Sequence, residues 1–331
     1  MRAAAAASGN PVLPSVLPVL RAAPQVRVRR DKIAEVAARI EDKDLRPSPW
    51  RFPVFIDEDS ERTIDFFFLG NALNFKYWDS ARPESVFAAE YKGATYTGAF
   101  AMWACLKRAL DAGVPILDAD YLARLSDEDV RKLFAGSAPM PMLPQRAAIL
   151  REVGRVLKAK YHGSFHNLVK DARFRAFDGG GGIVERLARD FPSFDDAAQF
   201  RGRKVLFYKR AQLAVGMLYS RLRGTGLFDV PDIDELTVFA DYELPKGLRR
   251  LGILEYSPDL ARKVDARAPI AAGSEDELAI RAATIQAGKL LADELNRRGK
   301  KVNALNVDFF LWWSAQQDAS APHHLTETTA Y

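Results

Sequence analysis

With 331 residues, 48% of them hydrophobic, the chain is long enough to bury a substantial core as one large domain or two closely packed ones, which excludes a disordered or fibrous protein. The 48 Lys and Arg outnumber the acids by five and are scattered, which favours small anionic ligands over a long duplex, because duplex binding calls for a concentrated basic stripe. A single cysteine, Cys105, excludes an intramolecular disulfide and a cysteine-based metal cluster, and the apolar run Phe100 to Leu110 around it marks a buried, inert thiol.

The Ala3 to Ala7 tract runs into Pro11, Pro14 and Pro18, which break up any signal-peptide segment. No run reaches the roughly 18 apolar residues of a membrane span, and neither end carries a lipidation motif. A cytoplasmic protein is expected, with an organellar presequence as the alternative. Asp31 is placed to cap a helix whose Ile33, Val36, Ala37 and Ile40 share a face, ended by Pro47 and Pro49. Phe52 to Ile56 and Thr63 to Leu69 read as the two strands of a hairpin, a small β-element at about 50–70, leading into the aromatic-rich Asn71 to Trp78.

From residue 97 the pattern is helical, with Phe100, Trp103, Ala104 and Leu110 as a buried stripe and Gly113 as the C-terminal cap. Ser126 with Asp129 forms a capping box, and Ile149, Val153, Val156 and Leu157 mark another helix. His162 and His166 stand four apart, but Gly163 interrupts them and no Glu occupies the zincin position, so no metal is expected. Further helices are predicted over 165–176, 183–190 and 203–222, with an additional helix start at Ser193 to Asp196. The run Gly179 to Gly182 lacks the Lys-Ser/Thr of a P-loop and follows a helix, so it reads as a flexible connection.

Val238 to Asp241 is a β-like run ending in an acid, after which Pro245 and Gly247 predict a turn. Ser274 and Glu277 box a helix to about Asn296, Gly299 closes it, and Val302 to about Ala315 is a final helix. The tail from about 318 to 331, with His323 and His324, is expected to be disordered. The expectation is one mainly α domain over residues 1–331 with a small β-element.

Two charged residues fall on apolar faces. Lys209 has Val205 and Leu213 four residues to either side, and Asp308 has Ala304, Leu305, Leu311 and Trp312 on its own face. Burying an isolated charge costs several kcal/mol, so both must pair or face a polar cavity. Periodicity leaves two readings open: a structural ion pair, or a pocket shared by Lys209, Asp241 and Asp308 with aromatic walls from Phe75, Tyr77, Trp78, Tyr242 and Trp312.

Asn71-Ala-Leu-Asn-Phe-Lys-Tyr-Trp78, Phe191-Pro-Ser-Phe194, Val205 to Gln212, Phe239-Ala-Asp-Tyr-Glu-Leu-Pro245, Leu251 to Leu254 with Tyr256-Ser257, and Val302 to Trp312 together resemble the queuosine salvage protein family, the queuosine 5′-phosphate N-glycosylases. The resemblance runs from about residue 15 to 316. It departs from the family at Lys76-Tyr77, where smaller or aromatic residues are expected, and at Tyr96, where tryptophan is usual. It implies a helical fold related to helix-hairpin-helix DNA glycosylases, and hydrolysis of queuosine 5′-monophosphate to release queuine, without metal or organic cofactor. It also places Lys209 and Asp241 on the family's catalytic pair and Asp308 on its base-contacting acid.

The chemistry agrees with that assignment. An ionised Asp241 would stabilise an oxocarbenium-like sugar and orient water. A 7-deazapurine has no N7 to protonate, so its departure needs hydrogen bonds elsewhere, and Asp308 suits the guanine-like N1–H and exocyclic amine. Lys209 is expected to hold Asp241 ionised. Phe75, Trp78 or Tyr242 are candidates to stack on the base; Trp312 adds to the wall. Arg249, Arg250 or Lys246 either meet the 5′-phosphate or are solvated surface. No stable nucleic-acid complex is expected; the competing readings are a DNA or RNA base glycosylase and a non-catalytic nucleic-acid-binding protein on the same fold.

Overall fold

The computed structural model describes residues 9–317 and 321–331, so the Ala3 to Ala7 tract lies outside the described residues. Helices dominate. In chain order they are α1 (Val12–Ala22), α2 (Arg30–Ala37), α3 (Glu61–Ala72), α4 (Gly98–Asp111), α5 (Ala119–Ala123), α6 (Asp127–Leu133), α7 (Leu143–Lys160), α8 (Phe165–Asp171), α9 (Ile183–Asp190), α10 (Lys209–Leu222), α11 (Glu243–Arg250), α12 (Pro258–Asp265), α13 (Glu275–Arg297) and α14 (Ala304–Gln316). The β-structure is three antiparallel pairs: β1 (Val26–Val28) with the later β6 (Leu254–Tyr256), β2 (Ala88–Tyr91) with β3 (Ala94–Thr97), and β4 (Ala197–Phe200) with β5 (Arg203–Leu206). No helix among the described residues is long and apolar enough to cross a membrane.

Several local expectations hold. Helix α9 spans the predicted 183–190, and Ser126 and Asp129 exchange side-chain bonds with each other's backbone N–H at 3.1 Å, a complete capping box. Cys105 is buried, and burial pushes its thiol up to about 11. Other expectations need correction. Thr63 to Leu69 is the body of α3 and not a strand, and Phe52 to Ile56 is turn, so no hairpin exists at 50–70. The aromatic run was ambiguous because α3 is enclosed on nearly all sides, with Ile64, Phe66, Phe67 and Phe68 at 0% exposure, which erases the helical polar stripe. Asp31 lies inside the first turn of α2, paired with Arg29, and is not its cap.

Ser193 to Asp196 opens no helix. A single 3₁₀ turn (Pro192–Phe194) gives way to the β4–β5 hairpin, so the helix expected from 203 starts only at Lys209. Pro245 and Gly247 do not make a turn; they lie within α11. Pro245 sits in the first turn, where no intrahelical N–H is needed. Gly247 permits a close approach to α14: a Cβ there would stand 2.9 Å from the Leu311 carbonyl.

Of the tail expected to be disordered, 318–320 lie outside the described residues and 321–331 are packed in. Leu325 bridges Pro269, Lys76 N–H donates to the Tyr331 carbonyl at 3.2 Å, and His324 and Tyr331 are each 2% exposed. Their partners lie far away in sequence, which is why the polar tail gave no local sign of order.

The buried apolar residues form two clusters. One gathers α3 to α9 and most of α10; the other gathers α1, α2, α11, α13 and the β1–β6 pair. Two segments belong to both. In the extended chain before Asp241, Val238 and Ala240 face the second cluster and Phe239 the first; on α14, Leu305 joins the first while Val307 and Leu311 join the second. Asp241 and Asp308 therefore lie on the seam between clusters.

Candidate active site

A cavity of about 620 Å³ opens at this seam. An aromatic part of its lining comprises Trp50, Phe55, Phe75, Tyr77, Trp78 and Trp103; a second part, carrying the charges, comprises Lys209, Asp241, Tyr242, Asp308 and Trp312, and the packed tail adds His323 and Tyr331. A larger open depression of about 1110 Å³ beside α1 and α13 contains none of the three charged residues singled out in the sequence.

Lys209 is the first residue of α10 and is 5% exposed. Its backbone N–H donates to Asp196 Oδ2 at 3.0 Å, and Tyr208 before it has φ 49°, the left-handed conformation that ends the hairpin and starts the helix. The inward direction inferred from the sequence is correct, but the helical neighbour invoked for it is not, since Val205 belongs to β5. Lys209 Nζ stands 3.5 Å from Asp241 Oδ2. Burial lowers the Lys209 pKa, while Asp241 and Asp308 oppose that shift.

Asp241 immediately precedes α11, and its Oδ1 accepts from Glu243 N–H at 2.8 Å and Leu244 N–H at 3.1 Å. One carboxylate oxygen is thus fixed by a helix start, where negative charge is favoured, and the other faces Lys209. Asp308 accepts Phe239 N–H at 2.8 Å on Oδ1. Burial raises its pKa to about 8, with Asp241 adding to the rise and Lys209 opposing it. Burial thus favours the protonated form of the Asp308 carboxyl.

The aromatic wall is braced from behind. The Arg146 guanidinium lies 4.0 Å from the Phe75 ring centroid, and Arg210 lies 5.3 Å from it. Lys76 Nζ sits 4.4 Å over Trp78 and pairs with Glu327 of the tail at 2.6 Å, so the family departure at Lys76 is balanced by the segment expected to be disordered. Tyr96, the other departure, is on β3 and does not line the cavity. Tyr242 lies 4.6 Å from His323, ring to ring, and Trp312 lies 6.4 Å from Trp50.

Of the site residues singled out from the sequence, Lys209, Asp241, Asp308, Phe75, Trp78, Tyr242 and Trp312 come together on the cavity, and Arg249 does not. Arg249 is held by Asp265 at 2.6 and 3.0 Å and stacks on Tyr256. Arg250 donates to Ser314 at 3.3 Å. Lys246 does line the cavity, paired with Glu243 at 2.7 Å. Sequence reasoning missed Arg267, His323 and Tyr331. Burial pushes His323 down to about 4 and leaves it neutral, and its Nδ1 lies 2.9 Å from the His324 carbonyl, which assigns the proton to Nδ1 and leaves Nε2 as an acceptor. The adjacent histidines were the one local signal for the tail, and nothing local marked Arg267 or Tyr331. Among the described residues no group of three or more His, Cys, Asp or Glu is arranged to hold a metal; His166 is 3.0 Å from Glu61.

The family model described as "Queuosine salvage protein" matches residues 54–331. Proteins named queuosine 5′-phosphate N-glycosylase/hydrolase are similar along most of the chain. The one from Sphaerobacter thermophilus is 38% identical over 322 residues, 97% of each chain. The one from Mus musculus is 36% identical over 284 residues, 82% of each chain. The one from Schizosaccharomyces pombe is 35% identical over 266 residues, 77% of this chain and 75% of its own.

Proposed function

This chain belongs to the queuosine salvage protein family, and from that premise we propose that it is an N-glycosidase that hydrolyses queuosine 5′-monophosphate and releases queuine. The observation that carries the proposal is the convergence of Lys209, Asp241 and Asp308 on one aromatic-walled cavity of about 620 Å³, a size that suits a nucleotide.

In this reading the base enters between aromatic side chains, with Trp78, Tyr242 and Trp312 supplying flat faces. Asp308 receives the guanine-like edge of the base, whose two donors favour its carboxylate form, the displaced proton passing to solvent. Asp241 Oδ2 faces the anomeric carbon, stabilises the positive charge that develops on the sugar as the N-glycosidic bond breaks, and orients the attacking water. Lys209, 3.5 Å from that oxygen, keeps the carboxylate aimed. Lys246 and Arg267 are the cations on the cavity lining suited to a 5′-phosphate, a role Arg249 cannot take while tied to Asp265. The helical architecture and the Lys–Asp pair in one cavity support the relation to helix-hairpin-helix DNA glycosylases that the family implies.

The test incubates the protein with queuosine monophosphate, queuosine nucleoside and queuosine-containing tRNA, and follows free queuine. Release from the monophosphate is expected with no polymer present. Release from tRNA alone would instead identify a polynucleotide glycosylase.

A further inference from the structure

Arg281, near the start of α13, does not line the cavity, yet it is bonded to the residue before Asp241 and to Asp196, which in turn holds the Lys209 backbone. Its guanidinium is 3% exposed and lies between the rings of Phe207 and Tyr331, 3.9 and 4.4 Å from their centroids. Nη1 and Nη2 donate to the two oxygens of Asp196 at 2.8 and 2.6 Å, and Nε donates to the Ala240 carbonyl at 3.0 Å. Asp196 Oδ2 also accepts the Lys209 N–H at 3.0 Å, while the Asp196 carbonyl accepts from Phe207 at 3.0 Å and Tyr208 at 3.3 Å. Ala240 is the residue before Asp241.

We infer that Arg281 is a positioning residue that sets the separation and aim of Lys209 and Asp241; the inference rests on the proposed hydrolase reading. A planar guanidinium presents its donors at fixed angles, so binding Asp196 through one edge and the Ala240 carbonyl through Nε fixes two segments that are distant in sequence against each other. The two rings remove its remaining freedom. The left-handed Tyr208, a conformation costly for a non-glycine residue, is held on the Lys209 side by the same Asp196. Lysine at 281 would keep a charge for Asp196 but cannot reproduce the fork and the third bond together.

The test is Arg281→Lys, first shown to fold by its thermal midpoint and then assayed on queuosine monophosphate. The expected result is a fall in kcat of about ten- to a hundredfold with KM within about threefold, because misplacement of reacting groups by about 1 Å costs rate on that scale. In an Asp241→Asn background the same change is expected to cost less than about threefold, since the alignment it maintains is already lost. Unchanged kcat in Arg281→Lys, or an equal loss in both backgrounds, would overturn the inference. Asp196→Asn carries the same test if Arg281→Lys does not fold: a tenfold or greater loss in kcat at unchanged KM supports the inference, and normal kcat overturns it. Absence of queuine release by the wild type would overturn the proposed activity and this inference with it, whereas wild-type turnover with an unimpaired Arg281→Lys overturns this inference alone.

Discussion

The two walls of the cavity are supported by buried arginines in opposite ways. Behind the aromatic wall, Arg146 and Arg210 are 0% and 1% exposed and donate to carbonyls: Arg146 to Pro141, Phe75 and Lys76, Arg210 to Ala72 and Ser193. Among the described residues no carboxylate makes an ion pair with either, and burial pushes each down to about 10. Behind the polar wall, burial also pulls Arg281 down, but Asp196 and Glu277 outweigh it and hold the group above its usual range. The first pair ties backbone to backbone and shapes a surface; Arg281 also pairs with two buried carboxylates, Asp196 and Glu277. Damage to the aromatic wall should therefore register in stability and binding, and damage to the polar wall in rate.

The largest effect is expected at the polar wall itself. Asp241→Ala should lower kcat by about 10²–10³-fold, the scale seen when a stabiliser of transition-state charge is removed, while queuine still binds by calorimetry. A near-normal rate would mean that a different acid does the work. On the opposite wall, Arg146→Met leaves the buried Phe75 and Lys76 carbonyl bonds and the half-buried Pro141 one without their donor and should cost about 3 kcal/mol in denaturant unfolding. It should raise KM and leave kcat per folded molecule within about threefold; a kcat loss with normal KM would erase the contrast between the walls.

Asp308 sharpens the comparison through pH. Burial raises its folded pKa from 3.8 to about 8, so the folded state holds a proton that the unfolded chain gives up, and stability falls as pH rises between those values. Asp308→Asn keeps the acceptor for Phe239 and removes this slope, so its thermal midpoint should gain on the wild type from pH 5 to pH 8. For the wild type, KM should fall over the same range as the carboxylate that accepts the base becomes populated; a KM that rises would make Asp308 a donor to the base. The smallest effect belongs to Arg249→Ala, which should change stability by about 1 kcal/mol or less and leave KM for the monophosphate unchanged, because the half-exposed Asp265 is its partner.

Much of the site was legible because a charge on an apolar helical face must find compensation, and Asp308 on α14 obeys that rule. The same rule applies to Arg281, which has Leu278 three residues before it and Ile285 four after, but Glu277 reads as half of a capping box, of which the Ser274 half forms, Ser274 Oγ accepting from the N–H of Glu277 at 3.3 Å. Its side chain in fact accepts Gly273 N–H at 3.1 Å and the Tyr331 hydroxyl at 3.0 Å, and pairs with Arg281 at 3.5 Å. Arg249 failed for the complementary reason: a basic residue next to a catalytic segment carries no mark of which carboxylate it will find.

By itself the sequence determined the helices with clear stripes and caps, the mainly α class, and the two charged residues, Lys209 and Asp308, that could not stay buried alone, because these depend on neighbours within a turn or two. Tertiary structure decided the rest. Enclosure turned a strand-like aromatic run into α3, close packing on α14 kept Gly247 in a helix, and contacts reaching back to residues 76 and 277 ordered the tail. Arg281 is the clearest case: it joins Asp196 to Ala240 across 44 residues of chain, and no local periodicity records such a bond.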